Sequence, residues 1–296
     1  MHYFLGLEVT YLDEGTVLSQ KKFTTDLLQE SGLTPHPRAV TPLPVHMKLQ
    51  DSHSPLLSDP STYRSLVGKL NFLTHTRPDL SYPTQTLSQF MQRPTEQHLA
   101  ALHHTLSYVA HTAGQGILLK ATDQLHLHAF SDSDWAACLD TRRSITGYVL
   151  MLGNSPISWK SKKQHTVSKS SSEAEYRALS STASEVTWLV RLLAELGLTA
   201  LRPVTLYCDN QFAIHLAHNP IQHERTKHID IDCHFTREKI LEGLIHLAYV
   251  PTSQQLADLF TKALPSTKLL PLLSKLGVYF TPSLRGDVNH TQYSWY

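Results

Sequence analysis

The chain has 296 residues, of which 41% are hydrophobic and 17% charged, enough for about two domain-sized cores and too apolar for a wholly disordered chain. Lys+Arg 26 against Asp+Glu 25 leaves a formal charge of +1, which excludes a strongly basic histone-like binder and a long acidic tail, so contact with a polyanion has to come from a local patch. Cys138, Cys208 and Cys233 are odd in number and widely spaced, which fits neither a disulfide framework nor a Cys-x-x-Cys metal knuckle and makes a reducing compartment the expectation.

Residues 3 to 9 and 16 to 19 read as two short strands around the turn Asp13-Glu14-Gly15, and a helix carrying Leu27 and Leu28 stops near Gly32. The opening apolar run is brief and holds Glu8 and Asp13, and no stretch reaches the ~20 apolar residues of a membrane span. The expectation is a soluble chain without signal peptide, cytoplasmic or nuclear. Residues 34–59, rich in proline, predict an extended linker, because each proline lacks a backbone donor and constrains its predecessor. Tyr63, Leu66, Val67, Leu70 and Leu73 mark one helical face, and Leu99, Leu102, Leu106 and Val109 another, with RPDLSYP as a break, so 60–122 is expected to be mainly helical.

Alternation around Leu125 to Phe130, then Ile145 to Leu152 and Pro156 to Lys160, predicts three adjacent strands. A long helix follows, with Tyr176, Leu179, Ala183, Val186, Val190 and Leu193 on one stripe and Gly197 placed to end it. Strand 204–208, helices at 210–218 and 231–241, strand 244–250 and a last helix from Ser253 to Leu264 complete the order. The fold class expected for 123–265 is α/β, a mixed sheet flanked by helices. Residues 266–296 read as a loosely held tail.

Four acids stand where strand or helix ends would expose them on one side of that sheet: Asp132, Glu175, Asp209 and Asp258. Singly, such residues are ordinary turn formers or caps. Converging, they would repel one another without a cation, and two magnesium ions, with manganese able to substitute, suit such a set and phosphodiester hydrolysis. Asp134 shares the face of Asp132 if the strand continues, and is otherwise a turn residue. Ser170-Ser171-Ser172-Glu173 has the capping-box form, which gives Glu173 a structural task and leaves Glu175 for chemistry.

The segments SDSDWAACLDTRRSITGY, ISWKSKKQHTVSKSSSEAEYRAL, LYCDNQFAIHLAHNP, RTKHIDIDCHFTREKI and YVPTSQQLADLFTKALP resemble, in this order, the ribonuclease H domain of copia-type retrotransposon polyproteins. The resemblance implies a ribonuclease H-like fold over 123–265, hydrolysis of the RNA strand of an RNA/DNA hybrid, and metal-binding roles for Asp132, Glu175, Asp209 and Asp258. Pro251 to Ala257 lacks the histidine that many such enzymes carry before the last Asp. His228 is the candidate substitute, beside its plainer reading as a surface or helix-start histidine. YFLGLEV, LSQKKFTTDLLQESGL and YRSLVGKLNFLTHTRPDLSYPTQTLSQFM resemble the end of the reverse-transcriptase palm (1–33) and its thumb and connection (60–122) in the same family. No Tyr-x-Asp-Asp occurs in the chain, so no polymerase activity is expected from it, and the remaining reverse-transcriptase domain is an expected partner. The rival expectation is a degenerate relic that binds nucleic acid without cleaving it.

Lys160, Lys162, Lys163 and Lys169 form a basic run before the long helix, with Arg142 and Arg143 in the preceding turn. Such groups hold phosphates without reading sequence. The hydroxyls of Ser170 and Ser171 are candidates for contacts to phosphate or to the RNA 2′-hydroxyl. A solvated lysine-rich loop is the alternative. Trp135 is expected to pack rather than stack.

Overall fold

The N-terminal hairpin finds the rest of its sheet far downstream. The computed structural model describes residues 2–32, 38–51, 54–218 and 230–280. In it β1 (Tyr3–Phe4), β2 (Leu7–Leu12) and β3 (Gly15–Ser19) run antiparallel. After α1 (Lys21–Glu30), the described parts of the proline-rich segment form no helix or strand, as their missing donors require. They are nevertheless docked: Ala39 and Leu43 are buried in the helical core, and Thr105 donates its hydroxyl to the Pro42 carbonyl at 2.9 Å.

That core gathers α2 (Ser61–Leu73), α3 (Ser81–Ser88) and α4 (Glu96–His111). The predicted faces Tyr63, Leu66, Val67, Leu70 and Leu73, and Leu102, Leu106 and Val109, are buried in it, with Leu99 packed at its margin. The break at RPDL is a 3-10 turn, Pro78–Leu80. It is pinned by a buried Arg77–Asp79 pair (2.7 Å), to which Tyr108 donates its hydroxyl at 2.8 Å. Burial alone would be costly for either charge, and the pairing with added hydrogen bonds offsets it.

The expectation of a mainly helical 60–122 needs one correction. Gln115–Lys120 is strand β4, which pairs with β3 (Val17 with Leu118, Leu18 with Ile117). A short strand of this kind is stabilised by partners distant in sequence, which no local pattern reports.

The second sheet has the order β7-β6-β5-β8-β9. Its members are β5 (Leu127–Asp134), β6 (Ile145–Leu152), β7 (Ser155–Lys163), β8 (Val204–Cys208) and β9 (Ile245–Tyr249). β5, β6 and β7 are antiparallel neighbours, while β8 and β9 add in parallel beside β5. With α5 (Ser171–Glu195), α6 (Gln211–His218) and α7 (Asp230–Leu241), this is the expected mixed α/β architecture, a sheet flanked by helices. The predicted stripe of α5 is buried on the sheet from Tyr176 to Leu193, and Gly197, at φ 93°, follows its end in the left-handed conformation that favours glycine.

Three sequence expectations shift here. β5 extends to Asp134, so Asp132 lies within the strand and Asp134 is its last residue, not a turn residue. β7 extends to Lys163, so most of the basic run is edge strand rather than loop. The last helix is instead two 3-10 turns, Thr252–Gln254 and Leu256–Phe260, separated by the extended Gln255. Gln255 is fully buried, donating from Nε2 to the Ser131 carbonyl at 3.0 Å and accepting from the Ala257 amide at 3.2 Å, and these bonds take the place of a continuous helical turn.

The tail beyond Pro265 is also corrected. α8 (Ser266–Lys275) buries Leu269, Leu272 and Leu273, and β10 (Val278–Phe280) pairs with β4, closing the first sheet as β1-β2-β3-β4-β10. Amphipathic packing holds this stretch; residues 281–296 lie outside the described residues.

Candidate active site

Parallel pairing of β5 with β8 brings the C-terminal ends of the two strands together. Asp132 is on the central strand, 2% exposed, and Asp209 directly follows Cys208 at the end of β8. α5 lies against β5 and contributes buried Glu175, whose Oε1 accepts the Ser133 amide at 3.2 Å. Leu256–Phe260 crosses the other side of the sheet, bringing buried Asp258. The four predicted acids therefore meet.

Their electrostatics report the convergence. Burial, then Asp132 and Asp209, push the Glu175 carboxyl well above its ordinary range. Burial and Asp132 raise Asp209, against a hydrogen bond from Thr252 at 3.0 Å. Burial and Asp132 push Asp258 up to about 6, with Lys262 opposing. Asp134 is raised by burial and, more weakly, by Asp132. Asp132 thus acts on every other acid of the group, as like charges brought out of water must.

Sequence reasoning missed the groups that organise these acids. Lys262 places its Nζ 2.9 Å from Asp258 Oδ1 and 3.3 Å from Asp132 Oδ2, and the Thr261 hydroxyl donates to the same Asp132 oxygen. The signal was present: Asp258 and Lys262 stand four apart within ADLFTK, the spacing of an acid–base pair on one turn. Burial pushes the Lys262 ammonium down, but Asp132 and Asp258 more than offset this and raise it.

The donor set fits a hard cation. Glu175 Oε2 is buried without a hydrogen-bond partner among the described residues, in a residue only 6% exposed, and a buried carboxylate oxygen in that state is suited to a cation. Ligand atoms of Glu175, Asp209 and Cys208 lie within 4.8 Å of one another. Burial, then Glu175, raises the Cys208 thiol, so it stays protonated, while the carboxylates offer the oxygens that magnesium prefers.

The expected phosphate contacts divide. Lys160 and Lys162 are exposed and alternate along β7 on one face, whereas half-buried Lys163 turns to the other and donates to Cys138 Sγ at 3.7 Å. Lys160, Lys162 and Lys163 all border a groove of about 480 Å³ between β7 and the helical unit, with Thr74, Gln85, Gln89 and Trp159 on its walls. Arg142 is exposed at φ 54° in the turn after β5, beside half-buried Arg143. Ser170 is the N-cap of α5, accepting the Glu173 amide at 3.2 Å, and Lys169 and Ser171 flank it, exposed. Glu173 reaches back to the Lys169 amide (2.6 Å), one residue before the cap, and pairs with Arg177 at 3.1 Å. Trp135 is 47% exposed and donates to the Ser168 carbonyl at 3.0 Å, so it is not the packed residue expected. His228 lies outside the described residues. No described helix is long and apolar enough to cross a membrane.

No protein-family model matches the chain. It is 45% identical over 282 residues to the retrovirus-related Pol polyprotein from transposon RE1 of Arabidopsis thaliana, covering 95% of this chain and 19% of that protein. The corresponding polyprotein from transposon RE2 of the same plant is 43% identical over 288 residues, covering 97% and 20%. The chain spans about a fifth of the length of these relatives. Among solved structures, RNase H1 from the halophilic archaeon Halobacterium salinarum is similar at 16% identity and a TM-score of 0.33, covering 46% of this chain and 94% of that one.

Proposed function

Because the chain belongs to the copia-type family of retrovirus-related Pol polyproteins and carries a ribonuclease H-like domain, we propose that residues 123–265 hydrolyse the RNA strand of an RNA/DNA hybrid. The observation that carries this reading is the meeting of Asp132, Glu175, Asp209 and Asp258, with one Glu175 oxygen buried and unpartnered among the described residues. Two magnesium or manganese ions would be held by these four acids, and when bound would supply the positive charge that stabilises the attacking and leaving oxygens of a phosphodiester. Asp132 and Asp209 would serve both ions, Glu175 the side of the scissile phosphate, and Asp258 the side of the nucleophile.

The chain's own groups prepare this site. Thr261 and Thr252 orient Asp132 and Asp209 by hydrogen bonds, and the Ser133 amide fixes Glu175. Lys160, Lys162, Arg142, Lys169, Ser170 and Ser171 are exposed and can meet the sugar–phosphate backbone of a duplex. The remaining reverse-transcriptase domain of the polyprotein is the proposed partner of the N-terminal unit.

The test is incubation of purified protein with a labelled hybrid and magnesium, beside Asp132→Asn and a chelator control. RNA-strand cleavage that both controls abolish is the expected result. Hybrid binding without cleavage in the unmodified chain would replace this reading with a non-catalytic relic.

A further inference from the structure

The carboxylate cluster is lopsided. On one side Asp132 and Asp258 share the Lys262 ammonium, at 3.3 and 2.9 Å, and Asp132 also takes the Thr261 hydroxyl. On the other side Glu175 brings a carboxylate oxygen within 4.8 Å of one of Asp209, and its buried Oε2 has no hydrogen-bond donor among the described residues. The acids thus already hold one positive charge, and the buried oxygen left over marks where another is wanted.

Lys262 is also built to leave. The Asp132 and Asp258 side chains are 3% and 8% exposed, but that of Lys262 is 35% exposed. A flexible four-carbon stem with a strongly hydrated head can therefore swing into water without unfolding its surroundings. Its backbone stays anchored, since the Lys262 amide donates to the Asp258 carbonyl at 3.3 Å, so a displaced side chain remains tethered beside the pair.

Resting on the function proposed above, we propose that the Lys262 ammonium is the resident cation of the Asp132–Asp258 pair, a placeholder that a divalent ion must displace. The protein free of nucleic acid then takes a single divalent ion, on the Glu175–Asp209 side. Both cannot occupy the Asp132–Asp258 oxygens together, because an ammonium and a divalent ion that close repel strongly in a partly dry site. Filling the second position is thereby deferred until something further favours it, and the negative phosphate of a bound strand is the kind of charge that would.

The experiment is a manganese titration of the full chain without nucleic acid, with bound ion counted from the loss of the free-ion paramagnetic resonance signal. The unmodified chain is expected to take up one equivalent and Lys262→Met two, a doubling, while Lys262→Arg stays at one and Glu175→Gln loses the first. Circular dichroism checks the fold of each. Two equivalents in the unmodified chain overturn the proposal even if Lys262→Met does not fold. One equivalent in both the unmodified chain and a folded Lys262→Met overturns the role of the lysine alone. No manganese in either overturns the metal reading of the cluster and this proposal with it.

Discussion

Gly147 lies directly beneath Thr261: a Cβ built on the glycine would come within 2.6 Å of Thr261 Cγ2 and 2.7 Å of Phe260 Cβ. Gly147 is also the register partner of Asp132 across β5 and β6. The missing side chain is what lets the turn carrying Asp258, Thr261 and Lys262 descend onto the sheet beside Asp132. Gly147→Ala should force that turn outward, costing about 1–3 kcal/mol from overpacking. Urea unfolding measures the cost, and hybrid cleavage should fall with it; unchanged stability and rate would show that the turn can shift freely.

Stability should depend on pH through the same acids. Asp258 is raised from 3.8 to about 6, and Glu175 well above 4.5. The folded state therefore binds these protons more tightly than the unfolded state, so this contribution to stability is present in acid and is lost as pH rises through the folded values. In chelator, Glu175→Gln should stabilise the protein by about 1–3 kcal/mol at neutral pH, the scale of an unsatisfied buried group, with the gain shrinking toward pH ~4.5. Denaturation curves across that range check the sign; a gain that grows in acid would contradict it.

Glu173 and Glu175 are two residues apart and have different tasks. Glu173→Ala removes the bond to the Lys169 amide and the pair with Arg177, which should cost roughly 1 kcal/mol of stability and leave hybrid cleavage nearly intact. Glu175→Gln should abolish cleavage while the protein stays folded. Parallel melting and cleavage assays separate the two, and loss of cleavage in a folded Glu173→Ala would give Glu173 the catalytic role assigned to Glu175.

Among the lysines of β7, the two exposed ones should govern binding. Lys160→Ala with Lys162→Ala should lower the slope of log affinity against log salt by about 0.9 for each phosphate that is no longer neutralised. Lys163→Ala should leave the slope unchanged, because its ammonium is turned to Cys138. Fluorescence anisotropy with a labelled hybrid at several salt concentrations reads both, and equal effects from all three would mean that strand alternation does not govern which lysines meet the duplex.

The amphipathic stripe of α5, the helical faces around Leu70 and Leu106, and the stop at Gly197 were legible in the sequence, because period and capping are local properties. So were the positions of the four acids and the Ser170 cap, since strand ends and N-caps have short-range signatures; the capping box was only half right, because Glu173 reaches the Lys169 amide and not that of Ser170. The pairing of β4 with β3 and of β10 with β4 was not legible, nor was the breaking of the last helix at Gln255. Those outcomes depend on partners remote in the chain: Gln255 is held by Ser131, and its turn settles where Gly147 leaves room. The residue types determined that a carboxylate cluster could form. Only the tertiary structure decided that Lys262 would stand inside it, because a lysine four residues from an aspartate becomes that cluster's counter-ion only when the turn bearing both is laid against Asp132.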